Sequence, residues 1–412
     1  MAAYRLRVRK LLTHLAMVVL ISGVAACGSA VPSPPASRSS PASPQGSTAP
    51  DRWVVAEIDL PSEVTSAPSL EPGYQCHPCH FLAENDLFDV AETSRGPIAV
   101  GVQRPPVKAI AFTSSDLRHW TPLAGFAPAR DTNALAVVAH GGRTVIVGQS
   151  PGGATSWESD GSGWSVAPDQ AVLRVSHGGG AMTSVTAFQG GFVAGGYRDN
   201  PLKGTKSAAA WRSDDGLTWR LDDDAGVFAG GRILDVAAAG GTLVAVGTHG
   251  DQTYGPAAAW RWTSSDGWQL ARLEPDDGGA MTSVAAFHGR FIAVGTNDED
   301  RGARVWTSRD GLSWAVVSDQ PAFDNHSLPL RMHSIVSYAG GLAAAGLRFD
   351  AGNGSAVVWS SSDGRTWNSA WETSFSGGEI DGLAVSGDSI VAVGRTGYPD
   401  WNTATIWETP AH

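Results

Sequence analysis

The sequence predicts an all-β fold: a seven-bladed β-propeller of four-stranded blades, its ring closed by an N-terminal strand at about 53–58. Three observations predict it. First, a unit of apolar strand, tight turn and tryptophan recurs as AIAFTSSDLRHW (109–120), ATSWESDGSGW (154–164), AAAWRSDDGLTW (208–219), AAAWRWTSSDGW (257–268), ARVWTSRDGLSW (303–314) and AVVWSSSDGRTW (356–367). A truncated copy, ATIWETP, stands at 404–410. Second, a glycine-ended motif precedes each copy: IAVG (98–101), VIVG (145–148), FVAG (192–195), LVAVG (243–247), FIAVG (291–295), LAAAG (342–346) and IVAVG (390–394). Seven copies of each at a period of about fifty residues mark a repeat architecture. Third, the two ends complement each other. The seventh copy stops after Trp407, and Asp51-Arg52-Trp53 followed by VVAEI resembles the half it lacks. A strand borrowed from the far end leaves no blade with an open edge.

The elements of each repeat follow from composition. Short β-branched and alanine runs broken by Gly, Asp and Ser read as strands. Each repeat supplies four: an opening strand such as MTSVAAF (281–287), the glycine-ended strand, the strand with the first Trp, and a last strand such as SWAVVS (313–318). Four strands per repeat make a propeller blade. The opening strands start at FDVA (88–91), near Ala134, and at Met182, Ile233, Met281, Met332 and Ile380. The two innermost strands are small and apolar throughout, as strands covered on both faces are. Of 16 tryptophans, 13 sit at the two repeat positions, so packing between blades explains them better than a set of sugar-stacking platforms.

The residues ahead of the repeats are of a different kind. Arg5, Arg7, Arg9 and Lys10 precede a short apolar run that ends in small residues, so residues 1–26 read as an export signal. Val24-Ala25-Ala26-Cys27 resembles a bacterial lipobox, which implies that Cys27 is lipid-modified and the protein is anchored to the outer face of the cell membrane. Residues 27–50 form a Pro/Ser/Ala linker with little to bury, expected to stay extended. The propeller occupies 51–410, with a non-repeating insertion at 59–86. The net charge is −11, and −15 once the four basic residues of the signal are removed. Such an acidic surface disfavours nucleic acid and anionic lipid as partners.

The turn before each second Trp has its own chemistry. In Ser213-Asp214-Asp215-Gly216-Leu217-Thr218-Trp219, glycine suits the positive φ of a tight turn, and Asp and Ser can bond turn backbone. These turns resemble the Asp-box (BNR) repeats of sialidase-type propellers. The best matches are Ser213, Asp215, Gly216 and Trp219; Ser308, Asp310, Gly311 and Trp314; and Ser361, Asp363, Gly364 and Trp367, each one residue shorter between Asp and Trp than the family pattern. The resemblance covers about 87–409. It implies a structural role for the boxes, on the face opposite any active site. Sialidase activity would need an arginine triad, a Tyr–Glu pair and an acid/base Asp. No Arg-Ile-Pro segment is present, Arg232-Ile233-Leu234 being nearest, so no catalytic residue is assigned.

Cys76-His77-Pro78-Cys79-His80 fits two chemistries. With Cys27 lipidated, Cys76 and Cys79 are the remaining thiols of an exported chain, and a disulfide between them is the first expectation. The same residues fit C-x-x-C-H, so c-type haem on Cys76, Cys79 and His80 is the alternative; otherwise no cofactor is expected. Zinc would lack a ligand there, and Asp298, Glu299 and Asp300 lack calcium-loop spacing, so no metal site is read. Loops linking blades share one face, where binding is expected. The polar residues near the starts of opening strands are Arg130, Asp131, Arg232, Arg331, His333, Glu379 and Asp381. The reading is a monomeric envelope lipoprotein whose propeller binds a glycan, a peptide or an envelope protein. The alternative is a sialidase-like glycoside hydrolase or lyase.

Overall fold

A computed structural model describes residues 53–60, 84–175, 179–200, 205–222, 226–250, 255–274, 278–297, 302–324, 328–350, 353–397 and 403–410. Cys27, Cys76, Cys79, His80 and Asp298–Asp300 lie outside the described residues, as do the signal and linker.

The described chain forms seven sheets in a ring, antiparallel except for one edge pairing in each of two, a seven-bladed β-propeller. Each blade is laid down in order from inner to outer strand; the sixth runs Leu330–Tyr338, Gly341–Asp350, Asn353–Ser361 and Asn368–Ala370. The first blade opens at Glu84, ahead of the FDVA segment, so Glu84–Phe88 belong to its inner strand. The seventh takes its outer strand from the far end of the chain, Val54 opposite Glu408 and Val55 opposite Trp407. The expected closing strand at 53–58 is divided between two blades. After Ala56 the chain crosses to the first blade, where Glu57–Ile58 pairs in parallel with His119 and Trp120. The Arg118 carbonyl accepts from Glu57 N at 2.7 Å. Arg272–Glu274 makes the same crossing between the fourth and fifth blades.

The apolar core is divided among the blade junctions. Seven clusters of buried side chains each draw on two neighbouring blades. Trp211, Trp260, Trp359 and Trp407 are all fully buried in them. Their indole N–H groups donate to carbonyls of the preceding connection: Val172, Val227, Ala322 and Ser374, at 2.7–3.0 Å. Burying ~150 Å² of indole contributes about 4 kcal/mol at ~25 cal/mol per Å². Trp53 completes the set at the closing junction, against Phe375 at 5.7 Å.

The glycine that ends each second-strand motif, or in the third blade Gly196 directly after it, is explained by its neighbour. A Cβ at Gly101, Gly148, Gly196, Gly247, Gly295, Gly346 or Gly394 would lie 1.9–2.1 Å from an inner-strand carbonyl oxygen. Opposite each glycine the inner strand bulges. The register skips Phe88, Leu135, Thr183, Leu234, Thr282, His333 and Asp381 in turn. A bulge re-aims the side chain it carries. A motif legible as sequence thus fixes seven equivalent positions at the channel end where inner strands begin.

Candidate functional site

The seven bulge positions are not equivalent in chemistry. Phe88, Leu135 and Leu234 are apolar. Thr183 and Thr282 donate to the next blade's carbonyls at Ile233 and Met332, at 2.7 and 2.6 Å, so they hold blades together. His333 and Asp381, on adjacent blades, do neither. His333 Nδ1 lies 3.2 Å from Asp381 Oδ1 and 3.5 Å from Glu379 Oε1. Neither ring nitrogen has a hydrogen-bond partner in hydrogen-bonding geometry, nor does Asp381 Oδ2, although all three atoms are shielded from solvent.

Two residues before each bulge stands a second ring of positions, and on the seventh blade this is Glu379. Its Oε2 accepts from Arg395 Nε at 3.0 Å and from a terminal guanidinium nitrogen at 2.7 Å. Arg395 also reaches Asp86 Oδ1 on the first blade at 3.3 Å, and Arg104 pairs with the other oxygen of Asp86. Asp86 and Glu379 are buried. One chain of charges therefore runs from the sixth blade through the seventh to the first.

The electrostatics follow from this crowding. Burial opposes charge on His333, yet Asp381 and Glu379 outweigh it, as well as the opposing Arg331, and hold its pKa above the ordinary histidine value. Burial and then Glu379 push the Asp381 carboxyl above the ordinary carboxylate range. Burial works against the charged Arg395, but Glu379 and Asp381 more than compensate and keep it protonated.

Deeper in the channel lies a belt formed by the residue after each bulge. Asp89 Oδ2 accepts from Val137 N at 2.9 Å, and the hydroxyl of Ser334 from Leu383 N at 3.1 Å. Asp235 is the centre of the belt. Its carboxylate accepts from the hydroxyls of Ser184 and Ser283, both at 2.7 Å, and from Val236 N and Val284 N, both at 2.8 Å. Asp89 and Asp235 are half-buried. Burial, reinforced by Asp235, raises the Asp89 pKa to about 7. Burial also raises that of Asp235 against the four bonds it accepts.

On the opposite end, the turns place carboxylates to different effect. Asp215 Oδ1 accepts from Leu217 N and Thr218 N at 2.8 and 2.6 Å, and Asp310 and Asp363 repeat the pattern. Gly216 sits at φ 79°, where a Cβ would meet Val145 Cγ2 of the neighbouring blade at 2.4 Å. In the first blade Leu117 takes that place at φ 67°, so the turn forms there without glycine.

Of the residues singled out in the sequence, His333, Glu379 and Asp381 come together, with Arg331 close enough to act on His333. Arg232 lies on the fourth blade with its guanidinium 4.8 Å from the Tyr197 ring centre. Arg130 and Asp131 are exposed ahead of the second blade, outside the cluster. Asp86, Arg104 and Arg395 belong to the cluster and were not anticipated. Arg395 could have been found, because it directly follows the motif glycine and so faces Glu379 across the strand pair.

Residues 114–384, well over half the chain, match the DUF6242 β-propeller domain. The chain belongs to that family. No curated protein matches it. Among solved structures, the DUF6242 propeller is similar to a putative glycoside hydrolase from Parabacteroides distasonis, with 12% identity and a TM-score of 0.37 over 54% of this chain and 85% of that one. It is also similar to Trypanosoma rangeli sialidase in complex with sialic acid, with 11% identity and a TM-score of 0.43. That match covers 79% of this chain and 54% of the sialidase. These are likenesses of fold, and neither protein's activity is transferred by them.

Proposed function

We propose that this DUF6242 propeller is a lipid-anchored, extracytoplasmic binding protein that takes a glycan at the channel mouth formed by the sixth, seventh and first blades. The observation that carries the reading is the linked array of His333, Glu379, Asp381, Arg395, Asp86 and Arg104. Carboxylates that accept and guanidiniums that donate are fixed there by one another, which suits them to sugar hydroxyls without further ordering. The Cys27 anchor and a Cys76–Cys79 disulfide belong to the same reading of an exported chain.

Its test is binding of the full chain to an array of immobilised oligosaccharides, beside Arg395→Ala. Selective binding that falls at least about tenfold in the variant is expected, since one charged hydrogen-bond partner is worth about 1.5–3 kcal/mol. Binding to no sugar, or equal binding by the variant, would sink the proposal. Cys27→Ala should move the protein from the membrane fraction to the soluble fraction.

A hydrolase or lyase is the second reading, favoured by one observation. Donor atoms of Glu379, Asp381 and His333 lie within 4.8 Å of one another. A carboxylate pair about 5 Å apart is the spacing of retaining glycosidases. Fluorophore release from 4-methylumbelliferyl glycosides, abolished by Asp381→Asn, would establish catalysis over simple binding.

A further inference from the structure

We propose that His333, Glu379 and Asp381 form a site for one divalent transition-metal ion, zinc or manganese, at the mouth of the channel. Donor atoms of all three lie within 4.8 Å of one another, so side-chain shifts of a few tenths of an ångström or more would bring them onto one ion with bonds of about 2.0–2.2 Å. They come from adjacent blades at positions fixed by the backbone. His333 and Asp381 are the paired bulge residues, and Glu379 is two residues before the second bulge.

The second observation is the state of these atoms. Nε2 of His333 and Oδ2 of Asp381 are shielded from solvent without a hydrogen-bond partner, while Nδ1 of His333 faces Asp381 Oδ1 at 3.2 Å and Glu379 Oε1 at 3.5 Å. Buried polar atoms are almost always satisfied, so the unpartnered Asp381 Oδ2 beside that imidazole calls for a ligand. The equivalent threonines on the third and fifth blades have such partners in neighbouring carbonyls. Arg395 and Arg104 pair with Glu379 and Asp86, and among the described residues Asp381 has no arginine as an ion-pair partner, only His333. Imidazole with two carboxylates suits zinc or manganese better than calcium, which prefers oxygen alone. The Arg395 bonds to Glu379 Oε2 orient that carboxylate from behind and leave Oε1 facing His333. Three protein ligands leave room for water or a ligand oxygen, so the ion could take part in recognition. The proposal stands without the glycan reading, because its readout is metal alone.

The test is metal content of the full chain, stripped with chelator and dialysed against zinc or manganese. One ion per chain is expected, with affinity lowered more than about tenfold in both His333→Gln and Asp381→Asn. His140→Gln, an exposed histidine on the second blade, should bind as the unaltered protein does. No stoichiometric ion, or undiminished binding by the two variants, would overturn the site. If either variant fails to fold by circular dichroism, the cobalt-loaded unaltered protein decides. Visible d–d bands with a hyperfine-shifted imidazole N–H support the site. A thiolate charge-transfer band would place the ion at Cys76 and Cys79, and its presence would overturn the proposal.

Discussion

The two ends of the propeller use the same side chain in opposite ways. On the turn face Asp215, Asp310 and Asp363 occupy one repeated position, and burial raises their pKa less than the amide donors of the turn lower it. In the channel Asp89, Asp235 and Asp381 are at least half-buried, and burial wins in all three. The turn carboxylates repeat because the turn repeats. The channel carboxylates differ from blade to blade on an equally repetitive frame. Repetition here marks structure, and departure from it marks the places where chemistry is concentrated.

Asp235→Ala should break the contrast most severely. Four bonds go at once and three of the donors lose their acceptor, Val236 N keeping Ser184 Oγ at 3.1 Å, and a loss of about 3–5 kcal/mol is expected in urea unfolding. Asp89 sharpens it through pH. Its folded pKa of about 7 stands above the ordinary value of 3.8. Below pH 4 both folded and unfolded states hold the proton, and the stabilisation is fully present. Between pH 4 and 7 only the folded state holds it, so stability falls as pH rises through that window. The fall should total about 2–4 kcal/mol, the lower figure allowing for lumen water, and Asp89→Asn should flatten it. The turns should show the reverse sign. Their stabilisation is present above about pH 4 and is lost on acidification below it. Asp310→Ala should cost only about 1–2 kcal/mol and leave the pH 4–7 slope unchanged. A slope unaltered by Asp89→Asn would remove the channel from the account.

The fold was legible because its determinants are local and repeated. The motif glycines, the paired tryptophans and the complementary ends around Trp53 and Trp407 are visible by inspection. The register skip at each bulge was not, since apolar alternation does not reveal which residue is left unpaired. His333, Glu379 and Asp381 could be nominated as polar residues near strand starts, but so could Arg130 and Asp131, which stand apart. Asp86 and Arg395 meet across 309 residues of sequence, and no local pattern joins them. The belt did leave a trace. Asp89-Val90 and Asp235-Val236 align with Ser184-Val185, Ser283-Val284 and Ser334-Ile335, a polar residue at a fixed step after five of the seven bulges. The second and seventh blades carry Ala136 and Gly382 at that step, so the trace passes for ordinary strand alternation until the register is known.

Closure of the ring also governs when the molecule can be finished. Val54 and Val55 find their partners only at Glu408 and Trp407, and Trp53 packs only when the seventh blade is in place. Blades can form from neighbouring residues as the chain emerges, at low contact order. The last junction must wait for almost the whole chain, and loop-closure entropy delays such long-range pairing. Until then the borrowed strand and an incomplete seventh blade expose edges open to wrong pairing. The slowest and most vulnerable moment in assembly should be this final one, set by two valines and a tryptophan.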